Sequence, residues 1–283
     1  FMSPIVFFCI PAYGHTNPTL GVVRELAARG HKVVYYSYDT MRKPIEAAGA
    51  AFVSCNAYDA EQRLSPKDGE RLGRDLAFST QVLVDTTLAL DNAILSDMRA
   101  LAPDCIVADS MALWGKLIAK KLDIPFVSST TTFAFNRYSA KVMKQSPAQL
   151  FGMLVSMPKI GREIKHLQAA GYPVKSVLDI IQNDENLDTI VYTSPEFQPC
   201  ADTFPAAHYA FVGPSIRPAE MRMEKSAQPL VYISLGTVVN DQLAFYQQCV
   251  AALADGPCRV ILSIGEQVKP AALGTLPGNV EVH

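Results

Sequence analysis

An imidazole, a carboxylate and a glycine set between hydroxyl residues each stand where the chain leaves an apolar, strand-like run. His15 follows the run at 5–10, in the segment AYGHTN after Pro11. Imidazole is the side chain whose pKa suits a base acting on a hydroxyl group near neutral pH, although a histidine in such a loop can equally do no more than hydrogen-bond neighbouring backbone. Asp109 closes the run CIVAD that begins at Cys105. A carboxylate there can accept the proton of one histidine ring nitrogen, which leaves the other as acceptor and stabilises the imidazolium once it forms. It can also cap the next helix, a task open to Ser110. Ser234, Gly236 and Thr237 end the run VYIS. There glycine permits close backbone approach, and hydroxyls and N–H groups suit phosphate oxygens; an ordinary strand-ending turn is the other reading. Ser263 and Gly265 end the next apolar run on the same side.

The elements that must position these groups read as α/β. Residues 5–10 show no alternation, as expected for a parallel strand covered on both faces. A helix is expected to start at Pro18, whose missing N–H has no intrahelical partner at that position, with Leu20, Val23, Leu26 and Ala27 on one side and Gly30 as its stop. A second buried strand to Ser37 completes a β-α-β opening, and ligands bind beyond the carboxyl ends of such strands. Further strands are expected at 51–55, 103–110, 124–130, 188–194 and 208–214, with a helix over 78–101 marked by Val82, Leu83, Thr86, Leu90, Ala93, Ile94 and Met98 and another over 112–122. The segment 56–74 reads as a loop and 146–170 as apolar but less regular. Phe133, Phe135 and Tyr138 follow a strand end and either line an apolar pocket for a small molecule or pack in the core.

From 215 to 228 the composition turns charged and aperiodic, as in a linker, between a first domain at 2–214 and a second α/β pattern at 229–283. That second pattern has a strand and turn at 229–237, strands at 259–265 and 279–282 and a helix over 243–254. Three strands are few for a doubly wound domain that must bury both sheet faces, so the expectation is a second domain that continues or is completed by another polypeptide.

The stretch IPAYGHTNPTLGVVRELAARGHKVVYYS resembles the amino-terminal signature of the macrolide and UDP-dependent glycosyltransferases, and VYISLGT at 231–237 resembles the start of their second domain. The resemblance implies a GT-B-like architecture, a Rossmann-like acceptor domain followed by the first part of a Rossmann-like donor domain. It implies an inverting transfer of a sugar from a nucleoside-diphosphate sugar, UDP-glucose by analogy, to a hydroxyl of a small hydrophobic acceptor such as a macrolide or flavonoid. His15 would be the base and Asp109 its orienting carboxylate. Gly14 would let the chain pass near the donor, and Ser234, Gly236, Thr237 and Ser263 would lie at the donor phosphates and nucleotide, while Phe133, Phe135 and Tyr138 would face the acceptor. The family's later histidine- and glycine-rich motif and its tryptophan segment have no counterpart here, since Trp114 lies upstream. An acceptor-binding domain without turnover is therefore the alternative for this form.

Composition narrows the classes. A net charge of −2 gives no electrostatic case for nucleic acid, and the longest apolar runs are strand length, so no membrane span and no signal peptide are expected and a cytoplasmic setting is. Cys9, Cys55, Cys105, Cys200, Cys249 and Cys258 are scattered without a CxxC pair and read as small buried apolar residues. His31, His166, His208 and His283 have no ligand-spaced partners, so neither a metal nor another cofactor is expected. The pattern GHTNPTLG lacks GxGxxG; only Asp39 keeps a dehydrogenase in view.

Overall fold

The opening apolar run forms β1 (Ile5–Phe8), which pairs in parallel with β2 (Val33–Ser37) on one side and β4 (Cys105–Asp109) on the other. β2 pairs onward with β3 (Ala51–Ser54), and β4 with β5 (Phe126–Thr130), then β6 (Thr189–Val191) and β7 (Tyr209–Phe211). The sheet order is β3-β2-β1-β4-β5-β6-β7. The chain winds outward from β1 in one direction, returns, and winds outward in the other, so β1 and β4 flank the switch point where open α/β sheets bind ligands. The computed structural model describes residues 4–58, 75–142, 147–176, 179, 186–216, 227–236 and 240–283. Two units divide the chain, 1–217 and 218–283.

Successive residues of the central strands feed two cores. Val6, Phe8, Val34, Tyr36, Ile106 and Ala108 pack on one face, with α3 (Leu76–Leu101), α4 (Leu113–Leu122) and α6 (Pro147–Ala169). Phe7, Cys9, Val33, Tyr35 and Val107 pack on the other, with α1 (Tyr13–Ala28) and α2 (Arg42–Ala47). Burial on both faces is why these strands carry no alternation. α5 (Arg137–Val142) follows β5.

The start of α1 corrects the expected one. The helix begins at Tyr13, His15 lies in its first turn instead of a loop, and Pro18 is internal. The Ala12 carbonyl accepts from the N–H groups of His15 (3.0 Å) and Thr16 (2.9 Å), so the first turn closes on donors upstream of the proline. Pro18 then forfeits only the bond to the Gly14 carbonyl. The far end matches expectation: Gly30 has φ +85°, and bonds from Gly30 to Ala27 and from His31 to Leu26, both 3.0 Å, form a Schellman stop.

In α3, capped by Asp75 accepting from the Phe78 N–H at 3.0 Å, Leu90, Ile94 and Met98 are buried as the periodicity predicts. Near its start Val84 and Thr87 are buried instead of Val82, Leu83 and Thr86, because the continuous run at 82–84 does not define a phase. The irregular stretch at 146–170 is a single helix, α6, with Pro158 inside and Ile160, Ile164 and Leu167 buried. Lys121 joins three helical regions: its Nζ lies 3.2 Å from Asp91 Oδ1, donates to the Ala170 carbonyl at 2.8 Å, and sits 4.3 Å from the Tyr172 ring centre, while the Tyr172 hydroxyl donates to Asp91.

The second unit holds three parallel strands, β8 (Leu230–Ser234), β9 (Arg259–Ser263) and β10 (Val280–Val282), in the order β10-β9-β8. One face packs Val260, Leu262 and Val280 against Tyr246 and Val250 of α7 (Leu243–Leu253). On β8 the alternate residues Leu230 and Tyr232 are exposed, and Arg259 pairs with Glu281 through two 2.9 Å hydrogen bonds. The expected linker at 215–228 falls largely, and the expected loop at 56–74 from residue 59 on, outside the described residues. Cys9 and Cys55 are buried and the other four cysteines partly so, none in a disulfide. Among the described residues no helix is long and apolar enough to cross a membrane.

Candidate functional site

His15 and Asp109 meet beside the switch point. Asp109 is the last residue of β4 and His15 is on the first turn of the helix that follows β1, the neighbouring strand. His15 Nδ1 lies 2.6 Å from Asp109 Oδ2 and 2.9 Å from Oδ1. The ionised carboxylate only accepts, so Nδ1 carries the hydrogen and Nε2 keeps its lone pair. Among the described residues Nε2 has no hydrogen-bond partner, and the histidine side chain is 22% exposed whereas that of Asp109 is fully buried. The hydrogen bond to Asp109 holds the His15 pKa above its ordinary value, against the smaller opposing effect of burial.

Asp109 contacts His15 but does not cap the helix that follows. Its Oδ1 also accepts from the Met111 N–H at 3.2 Å, which fixes the carboxylate, while α4 starts after Ala112 with no side-chain cap. Ser110 therefore does not cap α4. Thr131 was not singled out by the sequence reading: its hydroxyl lies 3.1 Å from His15 Nδ1. Asp109 pairs in register with Ser129, which carries Thr131 just past the end of β5 and to the imidazole. The run TTT at 130–132 gave no way to choose among its members.

Beneath this pair a buried polar chain steadies α1. Thr19 Oγ1 donates to the Thr16 carbonyl at 2.7 Å and lies 2.8 Å from the Tyr35 hydroxyl, and Cys9 Sγ lies 3.7 Å from Thr16 Oγ1. Burial pushes the Tyr35 pKa well above its usual value, so Tyr35 is neutral and serves as a hydrogen-bonding strut.

Of the aromatic candidates, Phe133 packs on Phe197 with ring centres 5.4 Å apart. Phe197, absent from the sequence-based set, follows β6 and is 71% exposed. Phe135 and Tyr138 are also exposed, and Arg137 both stacks on the Tyr138 ring and donates to its hydroxyl at 2.8 Å. These rings stand on segments that leave the carboxyl ends of β5 and β6, the end of the sheet that carries His15 and Asp109.

In the second unit Ser234 and Ser263 are paired neighbours at the carboxyl ends of β8 and β9. The Gly236 N–H donates to Ser234 Oγ at 3.2 Å, and Gly236 has φ +81°, a conformation in which a Cβ is strained. Thr237 lies outside the described residues. Gly14 is the second residue of α1, with nothing within 4 Å of the Cβ it lacks. No group of three His, Cys, Asp or Glu residues is gathered among the described residues; His166 and His208 instead pair singly with Glu163 (3.2 Å) and Asp188 (2.8 Å).

Similar proteins match along the whole chain. A demethyllactenocin mycarosyltransferase of Streptomyces fradiae is 33% identical over 301 residues, spanning 100% of this chain and 63% of the relative. The uncharacterized UDP-glucosyltransferase YojK of Bacillus subtilis (strain 168) is 29% identical over 291 residues, spanning 100% of this chain and 71% of the relative. Among solved structures, the glycotransferase of kitacinnamycin superposes with a TM-score of 0.77 at 26% identity, covering 100% of this chain and 70% of the other. The chain is similar along its whole length to nucleotide-sugar-dependent glycosyltransferases, and its fold is GT-B-like. It spans roughly two thirds of the length of these relatives, 63% and 71%. No protein-family model matches it. Both units are Rossmann-like, with parallel strands joined by helices.

Proposed function

We propose that the chain belongs to an inverting glycosyltransferase that moves a sugar from a nucleoside-diphosphate sugar to a hydroxyl of a small hydrophobic natural product. The observation that carries this reading is the 2.6 Å contact between His15 and a fully buried Asp109 at the β1–β4 switch point. His15 Nε2 takes the acceptor hydroxyl proton as the oxygen attacks the anomeric carbon. The bond from that carbon to the nucleoside diphosphate breaks in the same step, so the configuration inverts. Asp109 holds the imidazole in the productive tautomer and stabilises the imidazolium that forms. Strand-end hydroxyls and N–H groups at Ser234, Gly236 and Ser263 receive the leaving diphosphate. The names of the relatives support the donor class. One is called a UDP-glucosyltransferase and the other a mycarosyltransferase, so UDP-glucose is the first donor to offer and a mycarose nucleotide the second.

Mass spectrometry of products formed from a panel of nucleotide sugars with matched phenols and aliphatic alcohols tests the reading. His15→Ala is expected to lower kcat/KM by about 10²- to 10⁴-fold. Asp109→Asn is expected to lower kcat while leaving the acceptor KM near the parental value. The loss is larger for aliphatic alcohols, because a phenol of pKa near 10 already supplies some of its own anion. Parental turnover of an aliphatic alcohol by His15→Ala would place the base elsewhere.

A further inference from the structure

Asn240 stands between the turns that end β8 and β9, and it is 4% exposed. Its Nδ2 donates to the Gly236 carbonyl at 3.0 Å. Its Oδ1 is buried with no hydrogen-bond partner among the described residues, an arrangement folding penalises unless the group has further work. The same side chain occupies the space beside Gly265, where an added Cβ would come within 2.8 Å of Asn240 Cγ. Gly236 and Gly265 hold φ of +81° and +69°. One buried amide thus ties the backbone of one turn and fills the place of a missing side chain in the other.

We infer that Asn240 is a positioning residue that clasps the two turns into the shape that receives a nucleoside diphosphate. The inference rests on the donor reading of Ser234, Gly236 and Ser263. Asn240 acts through the backbone: it fixes the Gly236 carbonyl away from the phosphate oxygens, so that the N–H groups and hydroxyls of the turn are the groups presented. Gly265 is glycine on two counts, its φ of +69° and the amide of Asn240 that fills the space of a Cβ.

Calorimetric titration of the 283-residue chain with UDP decides it. Asn240→Ala is expected to raise the Kd by about three- to tenfold, with amide exchange quickening at Gly236 and Gly265 but not in α7. Gly265→Ala, which leaves Asn240 in the sequence but displaces its amide and strains the backbone at φ +69°, is expected to raise the Kd at least as much. The double variant should lose less than the two single effects combined, because removing the amide relieves the clash of the new Cβ and leaves only the strain of an Ala at φ +69°. Ser234→Ala separates the two levels of the argument. If it weakens UDP binding while Asn240→Ala and Gly265→Ala do not, the clasp is wrong and the donor reading stands. If none of the three changes the Kd, or the parent binds no UDP, both fall. Strictly additive effects of Asn240→Ala and Gly265→Ala would also overturn the clasp.

Discussion

Asp109 Oδ2 lies 2.6 Å from His15 Nδ1 although the two residues are 94 apart in the chain. The distance is closed by the winding of the sheet, because β1 and β4 become neighbours only after the chain has built β2 and β3 and returned. The carboxylate is fixed from its other side by the Met111 N–H, so the ring is oriented by a group that is itself held.

This pair makes stability depend on pH in a definite direction. The folded-state pKa of His15 is raised, first by its hydrogen bond to Asp109, above an unfolded value near about 6.5. The charged pair therefore adds stability that is fully present below about pH 6.5 and is lost as pH rises through the folded value. Urea unfolding of the parent and of Asp109→Asn should differ most near pH 6 and progressively less toward pH 9, at roughly these values. The acid limb of kcat/KM should shift to lower pH in the same variant. A stability difference that grows with pH would contradict the assignment.

The Phe133–Phe197 pair should govern acceptor binding without touching the chemistry. Aromatic pairs of this kind are worth about 0.5–1.5 kcal/mol, and Phe197 is largely exposed. Phe197→Ala is expected to raise KM for a polycyclic phenol by about two- to tenfold at nearly parental kcat. Steady-state kinetics with a flat aromatic and a compact aliphatic acceptor check it; equal effects on both would remove the ring from the acceptor site.

Lys121 predicts a stability effect remote from the site. Its ammonium answers Asp91 on α3 and the Ala170 carbonyl after α6, both partly buried. Lys121→Met keeps the stem but strands the carboxylate, at an expected cost of about 1–3 kcal/mol. Chemical unfolding should show this loss with the His15 titration unchanged. A neutral result would mean that Tyr172 alone satisfies Asp91.

Much of this arrangement is legible in the residues themselves. Val6 through Phe8 and Ile106 through Ala108 announce strands buried on both faces, and His15 and Asp109 stand out because each comes as such a run ends. The start of α1 is not legible, since Ala12 offers no capping side chain and Pro18 advertises a false beginning. Thr131 escapes because its partner is chosen by the β4–β5 register, which three consecutive threonines do not reveal. Phe197 escapes because its strand is three residues long and the ring lies beyond it. Asn240 escapes because its two contacts are to turns that only the pairing of β8 with β9 brings side by side.

Cys9 sits in the layer under the turn that carries His15, its sulfur 3.7 Å from Thr16 Oγ1. Burial, and after it the negative charge of Asp109, push its thiol up to about 12. Near neutral pH this sulfur is therefore a thiol and not a nucleophile. Iodoacetamide or peroxide meets no thiolate there, because burial first and the nearby Asp109 carboxylate second keep the proton on the sulfur. An alkylating reagent that stops turnover would be reporting on a partly buried cysteine such as Cys200, Cys249 or Cys258, far along the chain from His15.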